Sequence, residues 1–277
     1  MVQQMEDIRR MPLADGGRMR EADLDEVFDT DYEYFMSSGH DPQFNGKEAE
    51  LAVRVGRLEP GMRVLDAACG YGRIGLELAR RGIDVHGVDR NPALVASART
   101  RADREGLRAG FDTADLRELT AEGAYDAALV WFTSFGYSSD ADSRVILANL
   151  RTALRPGGRL LLDILNPDQQ RALSTGRPQL GLQRVGSDFM LDEVTYDVAR
   201  SRLESRRTVV RDRVLRECRW SLRMLEPSEL EEWLREAGFV DVRFLGDDGH
   251  PFAPAHRRLL VVARTPGPRT APGDRRS

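Results

Sequence analysis

The sequence has 277 residues, 41% of them hydrophobic and 31% charged, with a net charge of −4. That length bounds it to one large domain, or a domain with a small elaboration, with chain enough to bury a core. The charge balance excludes the strong basic excess of a nucleic-acid binder, and no run approaches the ~20 apolar residues that cross a bilayer. Cys69 and Cys218 are too few for a disulfide framework. His40, His86, His250 and His256 do not fall at metal-ligand spacing, so no metal is expected. The N-terminus has no apolar signal-peptide region, and a reducing cytoplasm is the expected setting. Lys47 is the only lysine among many arginines, a bias that fits a GC-rich genome better than chosen guanidinium contacts.

Residues 1–22, with Pro12 and Gly16-Gly17, carry no period and read as a flexible arm. From Asp23 to Met36 the apolar positions Leu24, Val27, Phe28, Tyr32, Phe35 and Met36 predict a helix. A second helix is predicted from Gly46 to Leu58, so that 23–58 forms an N-terminal helical cover. Strand and helix then alternate. Strands are predicted at Arg63–Asp66, Asp84–Asp89, Phe111–Ala114, Tyr125–Phe132 and Arg159–Leu165. Helices are predicted at Ile74–Arg81, after Asn91-Pro92, and at Ser143–Leu154, with a turn at Arg155-Pro-Gly-Gly158. Proline suits a first helical position because its missing N–H is not needed there.

This rhythm implies an α/β fold with a doubly wound parallel sheet and helices on both faces. Such sheets bind ligands beyond the carboxyl ends of their strands, where strand order reverses. The rhythm stops after Leu165. Residues 182–224 show period-2 stretches and read as an antiparallel lid. A helix from Ser228 to Gly238 and strands at Val240–Leu245 and Leu259–Ala263 complete a domain over 23–265. The Pro-, Gly- and Arg-rich tail, 266–277, reads as disordered.

Gly70-Tyr-Gly-Arg-Ile-Gly75 matches the dinucleotide pattern G-x-G-x-x-G. Its glycines allow a tight turn that brings backbone N–H groups to a ligand. By itself the pattern fits NAD as well as other ligands. Here the strand ends at Asp66, and Ala67-Ala68-Cys69 intervene before the first glycine. A carboxylate at that point repels a pyrophosphate and suits a cationic ligand. Asp66, Ala67, Gly70 and Gly72 are therefore candidate cofactor contacts. Asp89, nineteen residues after Gly70, ends the next strand beside Arg90 and can accept ribose hydroxyls. Asp115 can accept an adenine amino group, with Leu116 offering its backbone. Trp131 ends the fourth strand beneath the cofactor. Asp66 could equally hold the turn by accepting its backbone N–H groups.

In order and spacing, Val64-Leu-Asp-Ala-Ala-Cys-Gly-Tyr-Gly72, Gly87-Val-Asp89, Asp115, Tyr125-Asp126 and Leu154-Arg-Pro-Gly-Gly-Arg-Leu160 resemble the motifs of class I S-adenosylmethionine-dependent methyltransferases over residues 50–165. The resemblance implies a Rossmann-like sheet of seven strands, the last antiparallel, with S-adenosyl-L-methionine as cofactor. Trp131-Phe-Thr-Ser-Phe-Gly-Tyr137 and Asp163-Ile-Leu-Asn166 resemble a bacterial small-molecule branch, some of whose members N-methylate amino sugars or antibiotic precursors. Asp31-Tyr-Glu-Tyr-Phe35 resembles that branch's cofactor-covering helix, which makes Tyr34 a candidate contact. The nucleic-acid amino-methylating signature Asn-Pro-Pro-Tyr is absent, which argues against a base acceptor.

The activity implied is methyl transfer to a nitrogen or oxygen of a small molecule, a specialised metabolite or amino sugar precursor. Tyr137 and His250 are the candidate catalytic residues, able to orient or deprotonate an acceptor. The arginines between Arg200 and Arg223 either recognise an acidic substrate or form a solvated face. A bound sulfonium serving a cyclisation and an NAD-dependent oxidoreductase are the alternative readings. No nucleic-acid or membrane partner is expected, and the sequence leaves the oligomeric state open.

Overall fold

The computed structural model describes residues 23–39, 41–174 and 176–267. The expected arm at 1–22 and most of the expected tail lie outside the described residues.

The predicted helix over 23–36 is two helices, α1 (Asp23–Val27) and α2 (Thr30–Gly39). Asp29 causes the break: its Oδ1 accepts from the backbone N–H groups of Asp31 (2.9 Å) and Tyr32 (3.0 Å). That is the work of an N-cap, and it restarts the helix in a new direction. Asp41 caps α3 (Pro42–Gly56) in the same way, accepting from the Phe44 N–H.

Seven strands form the main sheet: β1 (Arg63–Ala67), β2 (Asp84–Asp89), β3 (Ala109–Thr113), β4 (Tyr125–Val130), β5 (Leu154–Leu165), β10 (Val240–Gly246) and β11 (Arg258–Arg264). Their spatial order is β10-β11-β5-β4-β1-β2-β3. All are parallel except β11, which runs antiparallel to both β5 and β10. β5 is longer than predicted and takes in the expected Arg155–Gly158 turn, with Gly157 at φ 78°.

Both faces of this sheet are covered because its strands carry apolar residues on both sides. Val64, Ala127, Leu129 and Leu161 pack with Leu51 and Val55 of α3 and with Leu78 of α4 (Arg73–Arg80). Leu65, Ala128, Val130 and Leu162 pack with Leu147 and Leu150 of α6 (Asp140–Ala153) and with Leu230 and Leu234 of α8 (Pro227–Glu236). Between β2 and β3, α5 (Pro92–Glu105) buries Val95, Ala98 and Ala102. The chain runs from β1 outward to β3 and then returns to β4 on the other side of β1, so strand order reverses at β1.

A short helix absent from the sequence reading, α7 (Pro167–Leu173), leads from β5 into a second sheet. This sheet is an antiparallel meander of β6 (Gln179–Val185), β7 (Asp188–Asp197), β8 (Arg202–Arg211) and β9 (Val214–Arg223). Its alternating residues Met190, Leu203, Arg207, Val209, Trp220 and Leu222 are buried. It starts three residues before the predicted lid.

Candidate active site

A cavity of about 960 Å³ lies where strand order reverses, lined by the cover helices, the loops after β1, β2, β3 and β4, and the inner face of the second sheet. That volume is near the upper end of the ~300–1,000 Å³ usual for small-molecule sites.

The turn after β1 is built by conformation. Ala68, Gly70 and Gly72 adopt φ of 60°, 53° and 77°, a region that non-glycine residues enter at a cost. Asp66 is buried, and its Oδ2 accepts from the Gly75 N–H at 2.9 Å. A Cβ on residue 75 would stand 2.8 Å from that oxygen, so the third glycine exists for this approach. Burial pushes the Asp66 carboxyl up to about 7, partly opposed by the Gly75 N–H and the nearby Arg73 charge. Asp66 therefore braces the turn while also lining the cavity.

Asp89 ties the ends of β1 and β2 together. Its Oδ2 accepts from the Gly70 N–H (2.8 Å) and its Oδ1 from the Asn91 N–H (2.9 Å). Burial raises its pKa, opposed by those two backbone donors. Arg90 lines the cavity and pairs at 2.9 Å with Asp25 of α1. Asn91 was not foreseen as a site residue. It caps α5 through Oδ1, and its Nδ2 donates to the Phe28 carbonyl at 2.6 Å, fastening the cover to the strand end. Asp115 and Leu116 line the cavity after β3. The Arg117 guanidinium, 2.6 Å away, lowers the Asp115 pKa. The indole of Trp131 lines the cavity, and its Nε1 donates to Glu48 of α3 at 3.0 Å.

Glu48 belongs to a buried charge cluster that the sequence reading missed. Arg258 Nη1 sits 2.7 Å from both Glu48 and Asp163. Asp163 is fully buried, and its Oδ2 also accepts from the Phe132 N–H. Burial raises it to about 6 against the pull of Arg258. Phe132 and Thr133 hold φ of 60° and 61°, and the Thr133 N–H donates to the Asp163 carbonyl at 2.8 Å. Asp163 thus fixes the strained loop after β4. Glu48 was detectable: it falls in register with the inward Leu51, Ala52 and Val55 on α3, a position where an acid needs a partner.

Several expectations require correction. Tyr34 turns away from the cavity. Its hydroxyl donates to Asp188 of β7 and its ring lies beneath Arg211. Tyr32, two residues earlier, lines the cavity instead, its ring 5.1 Å from Phe28. Ala67 is buried within β1, and its neighbour Ala68 reaches the cavity. Gly72 shapes the turn without lining the cavity, because it lies against Ala98 and Phe111. His250 is exposed in the turn between β10 and β11 and does not line the cavity. Tyr137 does line it, packed edge-on against Phe28 (4.9 Å) and Trp220 (6.1 Å). Burial raises its pKa well above the ordinary phenol range.

Several arginines of the second sheet face carboxylates of the same chain. Arg207 is buried and pairs at 2.9 Å with Asp192, which also accepts from the Trp220 indole. Arg216 bridges Asp29 and Asp31, and Arg211 binds Asp31. The Arg211 and Arg216 pairs strap the cover to the sheet, and Arg207 joins them by donating to the Val27 carbonyl.

Among the described residues, no group of acids, histidines and cysteines could hold a metal ion, and no helix is long and apolar enough to cross a membrane. Residues 64–158 match the protein family described as a methyltransferase domain. The chain is 35% identical over 130 residues to the demethylmenaquinone methyltransferase of Thermus thermophilus, a match covering 46% of this chain and 56% of that protein. It is 29% identical over 212 residues to a ubiquinone biosynthesis O-methyltransferase of Xanthomonas axonopodis, covering 76% of this chain and 74% of that one. The first match thus spans little more than half of the relative's length. An amino pentose methyltransferase of Micromonospora echinaspora, solved with S-adenosylmethionine bound, shares the fold with a TM-score of 0.61 at 22% identity, over 91% of this chain and 100% of that one. A buried acid, Asp66, and a half-buried one, Asp89, on a glycine turn, neither ion-paired, suit a cationic ligand better than a pyrophosphate. The strand order and the turn agree with the methyltransferase-domain match over residues 64–158 and with the fold of the S-adenosylmethionine-bound structure, and these matches support S-adenosylmethionine as the cofactor.

Proposed function

We propose that this protein transfers a methyl group to an amine nitrogen of a compact, hydroxyl-rich small molecule of the amino sugar type. The observation that carries the acceptor class is the wall formed by α7 and β6. Gln169, Gln170, Gln179 and Gln183 line the cavity there, with the rings of Tyr137 and Trp220 on the same ligand space. A side-chain amide both donates and accepts, which matches hydroxyls and amines. The aromatic faces suit the apolar face of a sugar ring. A prenylated phenol needs a continuous apolar channel for its tail, and four amides interrupt the apolar surface here. The fold likeness to an amino pentose methyltransferase supports the same reading.

The cofactor supplies a methyl group already activated by its sulfonium. The chain's task is alignment and exclusion of water. In this reading Asp89 accepts the ribose hydroxyls with the lone pairs left over from Gly70 and Asn91, Asp115 and Leu116 meet the adenine, and Asp66, Gly70, Arg90 and Trp131 complete the wall. Tyr137 orients the acceptor through its hydroxyl, which has no hydrogen-bond partner among the described residues. An amine that arrives as the free base needs no general base, whereas an alcohol does. Among the described residues no histidine lines the cavity, which favours nitrogen over oxygen.

The test is product analysis after incubation with S-adenosylmethionine and two acceptor sets, amino sugars and prenylated phenols. N-methylated sugar with equimolar S-adenosylhomocysteine is the expected result. Turnover of the phenols alone would replace this reading with an O-methylating one.

A further inference from the structure

We propose that β6 pairs antiparallel with β6 of a second copy of this chain, so that the two antiparallel sheets run together as one across a two-fold axis.

A free sheet edge offers a row of unpaired N–H and C=O groups to any other strand, and native folds blunt such edges. The edges of the two sheets are β3, β10, β6 and β9, and the first, second and last are blunted. At β3 the Arg99 guanidinium donates to the Phe111 carbonyl. β10 carries a bulge between Val240 and Arg243, with Asp241 at φ 53°. β9 gives its Arg223 N–H to the Gly136 carbonyl, and its Arg216 donates to the Glu26 carbonyl of α1. β6 has no such device among the described residues. It runs seven residues in unbroken register with β7, which alone flanks it there.

The hairpin loop fixes which groups point outward. Val185 and Asp188 close a two-residue loop, with Gly186 at φ 60°. A closing pair of that kind is hydrogen-bonded, and bonded and non-bonded pairs alternate along an antiparallel ladder. Residues 179, 181, 183 and 185 therefore bond to β7. Leu180, Leu182 and Arg184 turn their N–H and C=O groups to the free edge, where no backbone partner stands among the described residues. Two of the same residues also expose apolar side chains, Leu180 by 63% and Leu182 by 58%.

Symmetry and charge name the occupant. With the two-fold axis at Leu182, that residue faces Leu182 of the second copy, and Leu180 faces its Arg184. Every outward N–H then meets an outward C=O. Leu180 is also paired with Glu193 of β7. One cross-strand row thus holds Glu193, Leu180 and Arg184 of the second copy. Neither Glu193 nor Arg184 has an ion pair among the described residues; Arg184 Nε donates only to the Gly186 carbonyl. They stand two strand spacings apart, about 10 Å, a distance their two side chains bridge together. Each copy supplies the charge that the other lacks. Gln179, Gly181 and Gln183, which line the cavity from this strand, then lie on a strand bonded along both edges.

Sedimentation velocity on the full chain tests this, together with hydrogen exchange over 179–185. The expected result is a dimer that dissociates on dilution, with the Leu180, Leu182 and Arg184 amides protected in the dimer and open in the monomer. Leu182→Pro removes an outward N–H and no bond to β7, and should leave only monomer. Leu182→Lys sets like charges opposite each other across the axis and should raise the dimer dissociation constant at least about tenfold. Val214→Lys, on β9 and 67% exposed, should not. Arg184→Glu should weaken the dimer, and adding Glu193→Arg should restore it. A chain that stays monomeric at every concentration overturns the proposal, as does a dimer indifferent to Leu182→Pro and Leu182→Lys. A charge exchange that restores nothing overturns the pairing at Leu182. Protection of the edge amides in a monomer would assign the edge to another segment of the same chain, and overturns the proposal too.

Discussion

On the β1 side of the cavity, position is set by backbone. Residues with left-handed φ, glycines with no room for a Cβ, and buried carboxylates receiving backbone N–H groups make up the turn. On the second-sheet side, position is set by charge. Arg207, Arg211 and Arg216 each hold an aspartate; Arg211 and Arg216 hold the cover through theirs, and Arg207 holds it through the Val27 carbonyl. The first wall is nearly independent of side-chain identity beyond its glycines and acids. The second depends on pairs of long side chains, any one of which can be exchanged. In the proposed function, the rigid wall is the one that meets the cofactor and the adjustable wall the one that meets the acceptor.

The largest effect should come from breaking the buried pair of the second sheet. Asp192→Ala leaves the buried Arg207 guanidinium and the Trp220 indole without their acceptor. Removing one partner of a buried ion pair costs about 3–5 kcal/mol. Urea unfolding should register that loss, and hydrogen exchange should place it in 179–223. Affinity for S-adenosylhomocysteine should change far less. An equal loss of cofactor affinity would mean that the two walls are not separable.

The next effect is a pH dependence from the other wall. The folded Asp66 pKa, about 7, lies above its ordinary value of 3.8 because the carboxyl is buried without an ion pair. A raised folded value means the group's contribution to stability is complete below pH 3.8 and is lost as pH rises toward 7. Denaturation midpoints should therefore fall across that window, and Asp66→Asn should flatten the fall. A slope unchanged in Asp66→Asn would assign the titration elsewhere.

The smallest effect concerns the straps. Arg211 and Arg216 are about one-third exposed, and such pairs contribute about 0.2–1 kcal/mol each and weaken with salt. Raising salt should speed hydrogen exchange in residues 23–39 a few-fold while leaving β1 and β4 unchanged. Exchange insensitive to salt would mean that the cover is held by its apolar contacts, such as Val27 and Phe28 against the sheet.

The sequence made the β1 side legible because backbone geometry leaves residue-type signatures. The Asp66–Gly75 spacing, Asp89 and Asp115 all line or shape the cavity as residues in those positions should. The main-sheet strands were visible for the same reason, since a parallel sheet buried on both faces reads as apolar runs. The charge-built side was less legible. An arginine in a strand looks the same whether it faces water or an aspartate far away in the chain. Tyr34 comes from the resemblance of Asp31–Phe35 to a covering helix, whereas the apolar period singles out Tyr32, the residue that lines the cavity. Asn166-Pro167 opens α7 just as Asn91-Pro92 opens α5, yet α7 is only seven residues long and carries no periodic stripe. His250 drew notice as a titratable residue on a loop, and no sequence signal told which way that loop faces.

The second sheet leaves the main fold after β5 and returns before α8, so both its ends lie within one uninterrupted stretch of chain. A gene could therefore lose, gain or replace it as a cassette without moving any strand of the main sheet. In the proposed function, where this sheet meets the acceptor, exchange of the segment changes acceptor preference and leaves the cofactor turn unaltered. Recombination between relatives at 166–178 and 224–226 would be the economical route to a new substrate.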